Sequence, residues 1–189
     1  MNRITRFILL SFCSAPVFAQ APTGMAPPAP APAPAPAMTA ARGPALALAM
    51  EAAQTAIDAC RAQGSNVAVS VVDSAGVLKL LLAGDGAHAR GVATSTTKAV
   101  TALELNMPIS EIYHQMQTDS ALAAKIKANP KYVVGQGGLP LRVGGEVIGA
   151  IGVGGAVGNR AQDEVYPVVP GRDEQCARAA VEKVQSRLK

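Results

Sequence analysis

The sequence predicts an α+β domain built on antiparallel hairpins, and three observations carry that prediction. In Gly137–Gly155, two apolar runs, Leu139–Val143 and Val147–Val153, flank a Gly144-Gly145 pair. Paired glycines supply the positive φ that tight hairpin turns require. Upstream, Val67–Val72 and Val77–Leu82 are joined through Asp73-Ser74-Ala75-Gly76. There the Asp can bond its own backbone and the Gly can take the left-handed position. Apolar residues three and four apart bracket both hairpins, which is the period of a helix with one buried face.

The chain has 189 residues, and its first forty do not read as foldable. Met1–Ala19 has the parts of a secretory signal peptide: Arg3 and Arg6, then the apolar Phe7–Cys13, then Val17-Phe18-Ala19 as a cleavage site. Residues 20–43 read as a spacer, with seven prolines from Pro22 to Pro36, mostly in an Ala-Pro alternation. Such a run forms neither helix nor ladder and samples extended polyproline II. Residues 44–189 form the folded domain, long enough to bury a core without staples. The expected location is the periplasm or the outside of the cell. No later stretch is apolar enough for a membrane span, so no stable membrane insertion is expected.

Within the domain, Leu46, Met50, Ala53, Ile57 and Cys60 make the stripe of a first helix, with Pro44 in its first turn and Gly64 after its end. A second helix is expected from Ala87 to Leu105, with Val92, Thr96, Ala99 and Leu103 on one side, ended by Asn106 and Pro108. Ser110–Gln117 and Ser120–Lys127 read as short helices, each capped by its Ser. Tyr132–Val134 is expected as a short strand. Ala156–Gly171, rich in Gly and Pro, reads as a loop. Arg172–Leu188 is the last helix, with Cys176, Ala180, Val184 and Leu188 four apart.

In the second run of the central hairpin, Val147, Gly149, Ile151 and Val153 alternate with Ile148, Ala150 and Gly152. Both sets are apolar, so the strand should be covered on both faces. Glycines inside it imply that a helix or a ligand comes close to the backbone. Pro140 fits a strand start or edge.

Composition narrows the function. Aromatic residues make up 3% and Trp is absent, so the core must come from small and branched aliphatics. The formal charge of +4 includes two arginines of the leader, and no basic patch interleaves with aromatics; a nucleic-acid partner is not expected. The histidines, His88 and His114, stand in no His-x-x-x-His or Glu-x-x-His spacing, so a dedicated zinc site is not expected. His88 falls at a helix start, either as a surface residue or as a ligand contact. His114, beside Tyr113 and near Met116, lies in a group chemically able to ligate haem iron. Ser95-Thr96-Thr97-Lys98 matches Ser-x-x-Lys, but the Ser-Asp-Asn and Lys-Thr-Gly elements that complete such acylase sites are missing. Gly152–Gly158 has the wrong spacing for a dinucleotide loop. Cys60 and Cys176 either pair, if the first and last helices lie side by side, or serve as small buried hydrophobes.

Four segments in register carry a family resemblance. Val69–Leu78 resembles the Val-Val-Asp-x-x-Gly-x-Leu segment of the GlcG/HbpS-type haem-binding family, and Lys98-Ala99-Val100-Thr101-Ala102 its Lys-Ala-x-Thr-Ala helix. Gly137-Gly138-Leu139-Pro140 with Gly144–Val153 resembles its glycine-rich hairpin, and Asp173–Ala177 the start of its last helix. The resemblance implies a profilin-like fold, a five-stranded antiparallel sheet flanked by helices, that assembles into homo-oligomers. For exported members it implies haem as cofactor, with a role in haem sensing, storage or degradation. Under that reading the contacts are His88, Lys98, Thr101, His114, Gly137, Gly138 and Pro140, with His88 and His114 as iron ligands and Lys98 or Arg142 on the propionates. Two features depart from the family pattern: Ala83-Gly84-Asp85 stands where Arg-x-Asp is common, and the loop Asn159–Gly171 is long. Two other readings remain open: a binder or enzyme of small hydroxy acids or corrinoids, and a non-catalytic oligomeric interaction module.

Overall fold

The computed structural model describes residues 41–156 and 171–189. Residues 1–40, which hold the expected signal peptide and most of the expected Ala/Pro spacer, and residues 157–170 of the expected loop lie outside the described residues. The elements follow in the order α1 (Leu46–Ala62), β1 (Ala68–Asp73), β2 (Leu78–Ala83), α2 (Ala89–Leu105), α3 (Ile109–Met116), α4 (Ser120–Ala128), β3 (Gly138–Val143), β4 (Glu146–Gly154) and α5 (Arg172–Val184). A 3-10 turn, Gln185–Arg187, follows α5.

Both predicted hairpins are present, and their strands make one antiparallel sheet in the order β2-β1-β4-β3. Asp73 Oδ1 accepts from the Ala75 and Val77 amides at 3.0 Å, and Gly76 has φ +77°, as the turn chemistry demands. Gly144 and Gly145 turn the second hairpin at φ +56° and +90°. Among the described residues the sheet has four strands rather than five. Tyr132–Val134 pairs with no strand, because the Val133 amide is spent on the Thr101 hydroxyl of α2 at 3.1 Å.

The sheet separates two cores. On one face Val69, Val71, Ile151, Val153, Leu139 and Leu141 meet α1 and α5, whose contact is made largely of alanines. Cys60 and Cys176 bond across that contact, with Cα atoms 5.5 Å apart. On the other face Val72 and Ala150 meet α2, with α3 and α4 beyond it.

The alternation expected in β4 breaks at one point. Leu141 pairs with Gly149 but Arg142 with Val147, so Ile148 is an extra residue on β4. That bulge turns Ile148 into the α1/α5 core beside Ile151, away from Ala150 and Gly152. The α1 stripe is also rotated: Ala49, Ala52, Ala53, Ala56, Ile57 and Cys60 are buried, while Leu46 and Met50 are more than half exposed. Only small residues allow α5 to lie this close. Pro44 stands outside the helix, before the Ala45 cap. Neither Ser110 nor Ser120 caps its helix. Pro108 occupies the first cap position, and Asp119 the second, its Oδ1 accepting from the Leu122 amide at 2.9 Å.

Candidate functional site

The glycines of β4 serve a helix. A Cβ placed on Gly152 would overlap the Ser95 carbonyl oxygen, and one on Gly138 the Lys98 carbonyl oxygen. Gly91 and Gly154 face each other, each leaving only 2.7 Å between its would-be Cβ and the other's oxygen. The α2 backbone therefore lies directly on the sheet backbone at these glycines. Two hydroxyl bonds at 2.8 Å fasten the same contact, Ser70 Oγ to Ser95 Oγ and Ser70 Oγ to Thr96 Oγ1.

Seated in this way, α2 presents two flanks. The flank toward β3 carries Lys98 and Thr101. Lys98 Nζ donates to the Val153 carbonyl at 2.9 Å and to Asp173 Oδ2 at 2.5 Å, both side chains being mostly buried. Asp173 Oδ1 accepts from the Ala156 amide at 2.9 Å. Gly137, with φ +93°, lies against Asp173 and accepts from the Val153 amide at 2.7 Å. The structure thus joins Lys98, Gly137 and Gly138 in one corner, with Asp173 as the member that sequence reading missed. Its signal was the Asp173-Glu174 pair opening the last helix. Lys98 is committed to that corner. Thr101 is sealed within the fold, donating to the Thr97 carbonyl at 2.8 Å while holding Val133. Pro140 sits on the outer strand β3 opposite Ala150. Arg142 is likewise engaged, donating to the Asn106 carbonyl and side-chain oxygens at 2.7 and 2.6 Å.

The flank toward β2 is open. Helical spacing puts Val92, Thr96 and Leu103 along one side, with Val100 at its edge, and His88 precedes the helix as its extended cap residue. Helix α2 covers β4, β1 and β3 but barely reaches β2. On β2, Leu81 lies opposite Ser70 and Leu78 opposite Val72, so both point to the α2 side of the sheet. They are 37% and 46% exposed. A half-exposed apolar surface therefore runs beside α2, with the exposed His88 at its N-terminal end as the helix cap. His88 also lines a polar cavity of about 150 Å³ with Gly64, Ser65, Asn66, Gly86 and Gly155.

His88 and Lys98 are ten residues apart on one helix axis, about 15 Å. His114, on the separate short helix α3, is exposed and meets Tyr113 edge to face at 6.0 Å. The expected site residues therefore fall in three places. Among the described residues no group of three His, Cys, Asp or Glu side chains gathers around a common point. Beside α2 the Tyr132 phenol is pushed above its ordinary range, chiefly because it donates to the Glu104 carboxylate.

A family model described as haem degrading protein HbpS-like matches residues 45–168. The chain belongs to that HbpS-like family. A double mutant of HbpS from Streptomyces reticuli is 31% identical, with a TM-score of 0.64, over 82% of this chain and 97% of that one. The ORFY protein of Klebsiella pneumoniae is 26% identical, with a TM-score of 0.65, over 81% and 97%. A PduOC–haem complex is 22% identical with a TM-score of 0.60 over 73% and 92%, a likeness of fold. None of the curated proteins compared matches the chain. Among the described residues no helix is long and apolar enough to cross a membrane.

Proposed function

We propose that this HbpS-like chain is an exported haem-binding protein whose haem lies on the β2 flank of α2. The observation that carries the reading is His88 standing one turn before an open apolar surface, in a family described as haem degrading. The fit can be tested on the structure itself. The cavity beside His88, at about 150 Å³, is below the roughly 300–1,000 Å³ of pockets that enclose a ligand. A porphyrin would be accommodated only against an open surface, with Leu81 and Val92 the apolar side chains within its reach from His88. His88 would supply a nitrogen to the iron. When bound, haem brings iron redox and oxygen chemistry. The chain's own groups hold its edge and shield one face from water.

That arrangement leaves the second face uncovered, so the working unit is a homo-oligomer in which another copy closes the site. Lys98, Thr101, Gly137, Gly138 and Pro140 build the frame that fixes α2, and His114 is the second candidate iron ligand. Export is supported by the leader and by the Cys60–Cys176 disulfide, a bond that persists in oxidising compartments. Haem titration of the mature chain should give a saturable Soret shift, weakened and displaced in His88→Ala and unchanged in His114→Ala. No shift at micromolar haem removes the proposal.

The size and polarity of the cavity favour one second reading, a small hydroxy acid held by Ser65, Asn66 and His88. Thermal shifts with such acids, and none with haem, would support it.

A further inference from the structure

We propose that a second copy of this chain joins at the outer edge of β2, strand to antiparallel strand, about a two-fold axis through Leu81. Among the described residues the exposed large apolar side chains are Leu46, Met50, Val77, Leu78 and Leu81. They are not scattered. Leu78 and Leu81 belong to β2, and Val77 directly precedes it. On α1, Leu46 and Met50 stand about three turns and two turns before Ile57, in one line along the helix. Ile57 abuts Gly84 at the far end of β2. At the near end Pro44, just before α1, accepts from Lys79 Nζ at 3.0 Å. That line of α1 therefore runs beside β2, and the exposed apolar side chains share one border of the domain. Single exposed apolar residues are ordinary, whereas a contiguous group marks a contact surface.

The backbone of the same border is unguarded. Both β2 and β3 are outer strands. On β3, Pro140 has no amide to offer, and the Arg142 carbonyl accepts from Gln185 Nε2 at 2.7 Å. On β2, the run Leu78–Ala83 holds four leucines, no proline and one charge. That charge, Lys79, is turned onto the Pro44 carbonyl. An apolar edge without such guards is a template for another strand.

This edge is complementary to itself. The Gly84 amide donates to the Val67 carbonyl at 3.0 Å, which sets the phase of the β1–β2 ladder. Leu80 and Leu82 turn their amides and carbonyls to β1, so Leu81 and Ala83 turn theirs outward. A two-fold axis through Leu81 keeps the new pairing within β2 and sets outward groups against outward groups. It also lays Leu81 on its own counterpart, on the α2 side of the sheet. Helix α2 barely reaches β2 and leaves that approach open. The contact gives a seat to the second copy on which the haem reading relies, but it forms without haem.

The test uses the mature chain without haem. Light scattering should give the mass of two copies or a multiple of two. Leu81→Glu puts a charge on the axis, and Ala83→Pro removes an outward amide that β1 does not use. Each should halve the mass, with circular dichroism showing the fold intact. Leu81→Cys should form an intermolecular disulfide under mild oxidation, because residues paired in this way have Cα atoms about 5.5 Å apart. Leu78→Cys is exposed too, but the same axis separates its two copies by about 20 Å, so it should not cross-link. A Soret titration of the same samples tests haem binding separately. A monomeric mature chain overturns the proposal. So does an assembly unchanged in Leu81→Glu, or a cross-link in Leu78→Cys that equals or exceeds the one in Leu81→Cys.

Discussion

The two faces of the sheet solve the same packing problem in opposite ways. Against α1 and α5, the strands supply bulk, Val69, Val71, Ile151 and Val153, and the helices supply alanines. Against α2, the strands supply glycines and a serine, and the helix brings its backbone down onto them. The first contact is apolar and sealed by a covalent bond; the second is a close backbone approach fastened by hydroxyls. The first forgives lost volume, and the second forgives no added volume.

Neighbouring residues of β4 expose that difference most sharply. Gly152→Val should cost more than about 3 kcal/mol or abolish folding, because Ser95 and Ala99 of α2 occupy the space. Ile151→Val, one residue away on the other face, should cost about 0.5–1.5 kcal/mol. Denaturant midpoints give both numbers, and equal losses would erase the contrast.

Next in size is the covalent seal. Cys60 and Cys176 are 116 residues apart in sequence, and removing such a bond should cost about 2–5 kcal/mol. A smaller effect is expected from the hydroxyl fastening. Ser70→Ala leaves Ser95 and Thr96 without their shared partner and should cost about 1–3 kcal/mol.

The smallest effect is a titration. The Tyr132 phenol is raised by donating to Glu104. Its contribution to stability is therefore fully present below the ordinary tyrosine pKa and is lost as pH rises through the raised value. Ultraviolet titration should show this phenol ionising later than an ordinary tyrosine, and Glu104→Gln should bring it back down. Identical curves would contradict the assignment.

Much of this was legible in the chain. Asp73 and Gly76 announced one turn and Gly144-Gly145 the other, because turn geometry is a local demand. The Val92, Thr96, Ala99 and Leu103 side of α2 was legible from spacing only in part, since Ala99 is fully buried against Gly152. What the others face was not legible: Val92, Thr96 and Leu103 border an outer strand that α2 leaves bare. The glycines of β4 correctly signalled a close approach, yet sequence alone cannot tell helix backbone from ligand. Ile148 was misplaced because a bulge shifts the period by one, and no residue type there announces it. Lys98 was noticed for its charge, but its partner Asp173 lies 75 residues away, a pairing that only the fold creates.

The most direct test of the functional account is to map where a porphyrin touches the chain. Backbone chemical-shift mapping with gallium protoporphyrin, which is diamagnetic, should perturb His88, Leu81 and Val92 and leave Gly138 and Gly152 unmoved. Perturbations centred on the Lys98, Gly137 and Gly138 corner, or none that saturate, would contradict it.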